Sequence, residues 1–147
     1  MFDVAEIMST ELLTLGPDAS LQDARALMAE HGIRHIPIVE DENRLVGLLS
    51  QRDVLAAADS ILLGMNGESE AFESRVAVST IMTMDPKTTD EQASLRGAAL
   101  YLQQHRIGCL PVVKGETLVG IITDSDFVAV AINLMEQFQE LEPAEID

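Results

Sequence analysis

The chain carries one pattern twice. Ile7-Met8 returns as Ile81-Met82, Ala19-Ser20-Leu21 as Ala93-Ser94-Leu95, and His31 as His105. Ile33, Pro37 and Val39 return as Ile107, Pro111 and Val113. After a turn one residue shorter, Leu45-Val46-Gly47 meets Leu118-Val119-Gly120, and Asp53 meets Asp126. Many mismatches are conservative, as in Leu48-Leu49-Ser50 against Ile121-Ile122-Thr123. Pro, Gly and Asp in register together are the mark of a duplication, and a duplication decides the architecture before any local reading. A unit of about 60 residues buries only some 60% of its unfolded surface. The expected folded object is therefore the pair, packed sheet to sheet about a pseudo-twofold axis.

Each copy reads the same way. A short extended segment carries a threonine (Leu13-Thr14-Leu15, then Lys87-Thr88-Thr89). Ser20 and Ser94 stand where a helix N-cap belongs. Leu21, Ala24, Leu27 and Met28 form a helical apolar stripe, repeated by Leu95, Ala98, Ala99 and Leu102. Strands follow at Ile33 to Val39 and Ile107 to Val113, where Pro37 and Pro111 impose a ladder gap or an edge position. Polar turns and second strands (Leu45 to Leu49, Leu118 to Ile122) complete hairpins, and helices open at Ser50 and Thr123. The unit is β-α-β-β-α, a mixed α/β fold. The expected division is repeat one over 1–59, a linker over 60–77, repeat two with a long final helix over 78–141, and an acidic tail over 142–147. The linker, with Gly64, Gly67 and Glu68-Ser69-Glu70, reads as a loop or a helix extension. The last helix should end before Pro143.

Charge removes several functions. Nine basic residues face 25 acidic ones among 147, a net charge of −16. Nucleic-acid binding depends on neutralising phosphates, and aromatic residues for base stacking make up only 3% of the chain. An anionic membrane surface is disfavoured on the same ground. No apolar run approaches the roughly 18 residues of a membrane span, and the N-terminus does not read as a secretory signal. The expectation is a soluble cytoplasmic protein that binds neither nucleic acid nor membrane. Cys109 is the only cysteine. A lone thiol in an apolar strand is most simply core packing. The seven methionines read as core filler, and the three histidines show no metal-ligand spacing. Nothing pairs a nucleophile with a base, and no phosphate-binding glycine motif is present. The chain is therefore read as non-catalytic.

The informative feature is the strand-to-helix junction. Gly47-Leu48-Leu49-Ser50-Gln51-Arg52-Asp53 and Gly120-Ile121-Ile122-Thr123-Asp124-Ser125-Asp126 share the form G-h-h-[ST]-x-x-D, with h apolar. A hydroxyl at a helix start can hold a phosphate or ribose oxygen beside the free N–H groups. A carboxylate three residues on accepts only, which suits the two donor hydroxyls of a ribose. For one copy, a capping box is the simpler reading. Two copies in a duplicated frame favour a ribose-phosphate grip.

With these junctions, the Ile-Met pairs and the proline-bearing strands in order, the chain resembles the CBS-domain family over Val4 to Ala58 and Val78 to Met135. The resemblance implies a tandem pair, or Bateman module, that senses adenosine-containing ligands: AMP, ADP, ATP, S-adenosylmethionine or dinucleotides. It also implies a regulatory role and a homodimer. By position, Ser50 and Thr123 would contact phosphate or ribose, and Asp53 and Asp126 would hold ribose hydroxyls. Arg34 and His35 fall where the family often places phosphate-binding groups, with Gly108 at the matching place in repeat two. Thr14 and Thr88 lie near the base pocket in the pattern.

The copies are unequal. Arg34, His35 and Arg52 bring donors near the first grip. Repeat two has Gly108, Cys109 and Ser125 there, with Asp124 beside Thr123. Phosphorylated ligands should then favour the first grip, and Asp53→Ala should cost more affinity than Asp126→Ala. Sulfonium-bearing S-adenosylmethionine suits the acidic second. Arg106 and His105 serve equally as ligand groups or as cations at a helix C-terminus. On the ribose reading Asp53 adds little to folding. The apolar stripe Phe127 to Leu141 exceeds what a small sheet pair can cover, which points to a homodimer. The rival readings are a structural dimer with decayed sites and a nucleotide-processing enzyme.

Overall fold

The computed structural model describes residues 2–64 and 72–141. In chain order the elements are α1 (Val4–Ile7), α2 (Leu21–His31), β1 (His35–Glu40), β2 (Arg44–Ser50) and α3 (Gln51–Gly64). A 3-10 turn (Val78–Thr80), β3 (Thr83–Met84), α4 (Leu95–His105), β4 (Cys109–Lys114), β5 (Thr117–Thr123) and α5 (Asp124–Leu141) follow.

The serines cap as the spacing predicts. Ser20 Oγ accepts from the Asp23 N–H, and the Asp23 carboxylate accepts from the Ser20 N–H, each at 3.0 Å. Ser94 Oγ accepts from the Gly97 N–H at 2.9 Å, and a glycine at that place cannot return the bond. Leu21, Ala24 and Met28 in α2, and Leu95, Ala98 and Leu102 in α4, are buried. Both helices stop on a left-handed residue, Gly32 (φ 64°) and Arg106 (φ 53°). Glycine adopts that conformation freely. For arginine it costs about 1 kcal/mol or more.

β1 pairs antiparallel with β2, and β4 with β5. Each register shifts at the equivalent step, between Ile38 and Val39 and between Val112 and Val113. The strand order is β1-β2-β5-β4, with β3 beside β2, so both prolines lie on outer strands. The repeats join where Arg44 of β2 pairs with Thr117 of β5. The expected opening strands contract to single parallel bridges, Leu15 with Ile38 and Thr89 with Val112. In the first copy Gly16-Pro17 ends the extended run. In the second, Asp90 Oδ1 turns the chain by accepting from the Gln92 N–H at 2.8 Å.

The leading segments of the two repeats change places. Val4 is buried among Leu95, Ala98, Leu102, Leu110, Val112 and Ile122, with Ile7 and Met8 packed alongside. Its equivalent Val78 is buried among Leu21, Ala24, Met28, Ile36, Ile38, Leu49 and Val54, with Ile81 and Met82 alongside. The backbone follows suit. The Val4 N–H donates to Ala93 O at 2.9 Å, and the Val78 N–H to Ala19 O at 2.8 Å. Ser9 bridges to Ile121, and Thr83 pairs with Leu48. This exchange explains the motif glycines. A Cβ on Gly47 would stand 2.9 Å from Met82 Cγ, and one on Gly120 would stand 2.5 Å from Met8 Sδ. Real Cβ atoms essentially never come so close, so a side chain at either place would have to push aside the methionine of the other repeat.

In the segment expected as a linker, α3 continues through Gly64. Glu73 is buried and meets Arg25 Nη1 of α2 at 2.6 Å. Val76 packs on the first core. The acidic run Glu68-Ser69-Glu70, the tail 142–147 and the helix end near Pro143 lie outside the described residues. Among the described residues no helix is long and apolar enough to cross a membrane.

Candidate functional site

Each junction is pinned to its own hairpin. The Gln51 N–H donates to Arg34 O at 2.8 Å, and the Asp124 N–H to Gly108 O at 3.0 Å. Within the first junction Ser50 Oγ accepts from the Asp53 N–H at 3.1 Å, and Asp53 Oδ2 accepts from the Ser50 N–H at 3.3 Å. Within the second, Asp126 Oδ2 accepts from the Thr123 N–H at 2.8 Å and from Thr123 Oγ1 at 3.4 Å. These carboxylates hold the starts of α3 and α5. The expectation that Asp53 adds little to folding has this cap against it, since the carboxylate is part of the helix start. All these carboxylate bonds fall on Oδ2, so a second acceptor oxygen remains on each half-buried group for a ligand.

The junctions open onto two clefts, and each cleft is built from both repeats. The first, of about 1100 Å³, joins Ser50, Gln51, Arg52 and Asp53 to Arg106, Gly108 and Cys109, with Thr83, Pro86 and Lys87 at its edge. The second, of about 300 Å³, joins Thr123, Asp124, Ser125 and Asp126 to Gly32, Arg34, His35 and Pro37, with Ser9, Glu11, Leu12 and Leu13 at its edge. Small-ligand sites typically span about 300 to 1,000 Å³. Arg34 and His35 line both clefts and form part of the wall between them. Thr14 and Thr88 line neither; their segments present Leu12-Leu13 and Pro86-Lys87 instead. Gly108 lets that wall pack closely: a Cβ there would stand 3.2 Å from His35 Cε1 and 3.4 Å from Asp124 Oδ2, so those side chains would have to shift slightly.

Lys87 and Glu11 line the clefts without a sequence signal, because they sit in loops without periodicity. Arg106 carried a signal, a bulky residue aligned with the helix-ending Gly32.

The clefts differ in charge. The first holds the cations Arg34, Arg52, Lys87 and Arg106 against Asp53, Asp59 and Asp124. The second holds Arg34 against Glu11, Asp124 and Asp126. Arg34 Nη2 meets Asp124 Oδ1 at 3.4 Å, with the side chains 59% and 54% exposed. A bridge so exposed is worth at most about 1 kcal/mol, so a ligand phosphate can recruit this arginine. Burial lowers the His35 pKa below its usual 6.5; Asp124 opposes this, Arg34 adds to it, and Asp53 opposes it. His35 therefore serves at neutral pH as an uncharged donor and acceptor. Burial, with Asp124 and Asp126 nearby, pushes the Cys109 thiol up to about 12. A thiol held protonated is an inert packing group. Among the described residues no cluster of His, Cys, Asp and Glu could hold a metal ion.

Duplicated α/β units that share two clefts, each with a hydroxyl and a carboxylate at a helix start, define a tandem repeat pair. The model of the CBS domain matches residues 4–60 and again 78–133, and the chain belongs to that family as a tandem CBS pair. A CBS domain-containing protein of Dictyostelium discoideum is 31% identical over 135 residues, which span 90% of this chain and 93% of that one. The crystal structure of a candidate acetoin utilization protein, AcuB, from Vibrio cholerae aligns with a TM-score of 0.81 and 43% identity, covering 97% of this chain and 99% of that one. CBSX2, a CBS-pair protein of Arabidopsis thaliana, has been solved in complex with AMP. That complex aligns with a TM-score of 0.77 and 28% identity over 92% of this chain and 99% of that one.

Proposed function

We propose that this protein is a regulatory module that binds adenosine-containing ligands of the AMP, ADP and ATP class in its two clefts. Occupancy then changes a partner protein or the module's own assembly. The observation that carries this reading is the placement of both hydroxyl–carboxylate junctions at clefts formed between the repeats. The AMP complex of CBSX2 supports it. Ser50 and Thr123 take phosphate or ribose oxygens, and Asp53 and Asp126 take ribose hydroxyls. Arg34, Arg52 and His35 hold phosphate, while Gly108 gives the ligand room. The likeness to AcuB makes acetoin utilization the first process in which to seek the regulated partner. The module works in the cytoplasm as a homodimer and performs no chemistry on its ligand.

The completed capping box at Ser50 and Asp53, and the carboxylate bonds of Asp126 to Thr123, favour a second reading, in which the junctions only start helices and the chain is a structural dimerisation module. A thermal-shift panel of AMP, ADP, ATP and S-adenosylmethionine separates the two. A ligand at a hundred times its Kd adds about 2.7 kcal/mol of stability. A flat panel leaves the structural reading. Loss of nucleotide over hours, followed by product analysis, would instead establish an enzyme.

A further inference from the structure

The two clefts are related by the internal repeat, so most lining residues of one have a counterpart in the other. Three of these pairs differ in one direction. Lys87, Arg106 and Arg52 line the first cleft, while Leu13, Gly32 and Ser125 stand at the matching places in the second. Arg106 occupies its place despite a left-handed backbone (φ 53°) that its counterpart Gly32 adopts without strain. At the first position of the helix after each junction, repeat one has Gln51 and repeat two has Asp124. A helix N-terminus attracts anions. In the second cleft the chain's own carboxylate already occupies that position.

We infer that the clefts sort adenosyl ligands by charge: the Ser50–Asp53 cleft takes the phosphate-bearing one, and the Thr123–Asp126 cleft takes one without phosphate. The inference rests on the nucleotide-binding reading above and names the ligand class of each cleft. Arginine matches phosphate oxygens with paired charge-assisted bonds, and three cations are confined to the first cleft. Arg34 is the cation common to both. In the second cleft a phosphate would face Glu11, Asp124 and Asp126 with that single shared arginine. A neutral nucleoside or a sulfonium nucleoside meets no such repulsion.

Calorimetric titration of the full chain with AMP and with S-adenosylmethionine tests the sorting. One AMP per chain is expected. Exchanging first-cleft residues for their counterparts, in Lys87→Leu with Arg106→Gly, should weaken AMP at least tenfold and leave S-adenosylmethionine within about twofold. Both positions are exposed, and glycine suits the backbone at 106, so these variants keep the fold. The reverse exchange, Asp124→Gln with Ser125→Arg, should raise AMP stoichiometry from one to two per chain and weaken S-adenosylmethionine. Two equal AMP sites in the unmodified protein would overturn the sorting. So would AMP affinity unmoved by Lys87→Leu with Arg106→Gly. If the unmodified protein binds neither compound, the nucleotide reading falls and the sorting falls with it.

Discussion

Asp53 has two partners to satisfy. Its Oδ2 closes the capping box with Ser50 at 3.3 Å, and the ribose role assigns the remaining acceptor capacity to a ligand. Asp53→Asn replaces one acceptor oxygen with a donor. The ligand-free protein should lose about 1 kcal/mol, the usual worth of a cap, and the preference for a ribonucleotide over its 2′-deoxy analogue should vanish. Denaturant midpoints without ligand and titrations with the two nucleotides read these effects separately. A loss of stability with no ribose preference in the parent protein would confine Asp53 to the cap. His35 makes a second expectation at this scale. Its pKa is depressed in the folded state, chiefly by burial. The unfolded chain therefore binds more protons below the unfolded value near pH 6.5, and stability conferred by the neutral ring is lost as pH falls through the folded pKa. Replacing His35 by Gln should flatten the decline in melting temperature between neutral pH and pH 5. An unchanged slope would mean that other groups carry the acid sensitivity.

At the scale of elements, α5 is the unfinished one. Val128, Ile132, Met135 and Phe138 are 58%, 51%, 63% and 66% exposed, and their spacing places them along one helical stripe. Leu55 of α3, the counterpart of Val128, is exposed as well. A homodimer about this stripe is the expected assembly. Ile132→Glu with Phe138→Glu should convert it to monomer in sedimentation at micromolar concentration while leaving the far-ultraviolet spectrum intact. A parent protein that already sediments as a monomer would remove the idea. The elements themselves were largely readable, because their causes are local. Ser20 and Ser94 begin helices through bonds spanning three residues, and hairpins follow from apolar runs around polar turns. The opening strands were overread, because Leu15 and Thr89 are extended but find only one pairing residue each. The loop-borne parts of the cleft walls could not be read. Glu11 and Lys87 take their meaning from residues far along the chain, and no period marks them.

At the scale of the whole molecule, the exchanged segments make the repeats interdependent. Val4 belongs to the core of repeat two, and Val78 to that of repeat one. Sequence could not assign them, since duplicated units offer each valine two nearly identical homes. The assignment has a spatial consequence that hydrogen exchange can read. Val4→Ala should cost about 2 kcal/mol and release amides of α4, β4 and β5, more than sixty residues from the change. Val78→Ala should release α2, β1 and β2 instead. Loosening confined to each valine's own repeat would contradict the exchange.

The same exchange bears on ancestry. Two copies of a single unit could trade leading arms in the same way, each lodging in the other's core. The present chain holds both partners of such a trade in one covalent strand. Joining the halves freed each copy to mutate alone, and an arginine at 106 facing a glycine at 32 is what that freedom looks like.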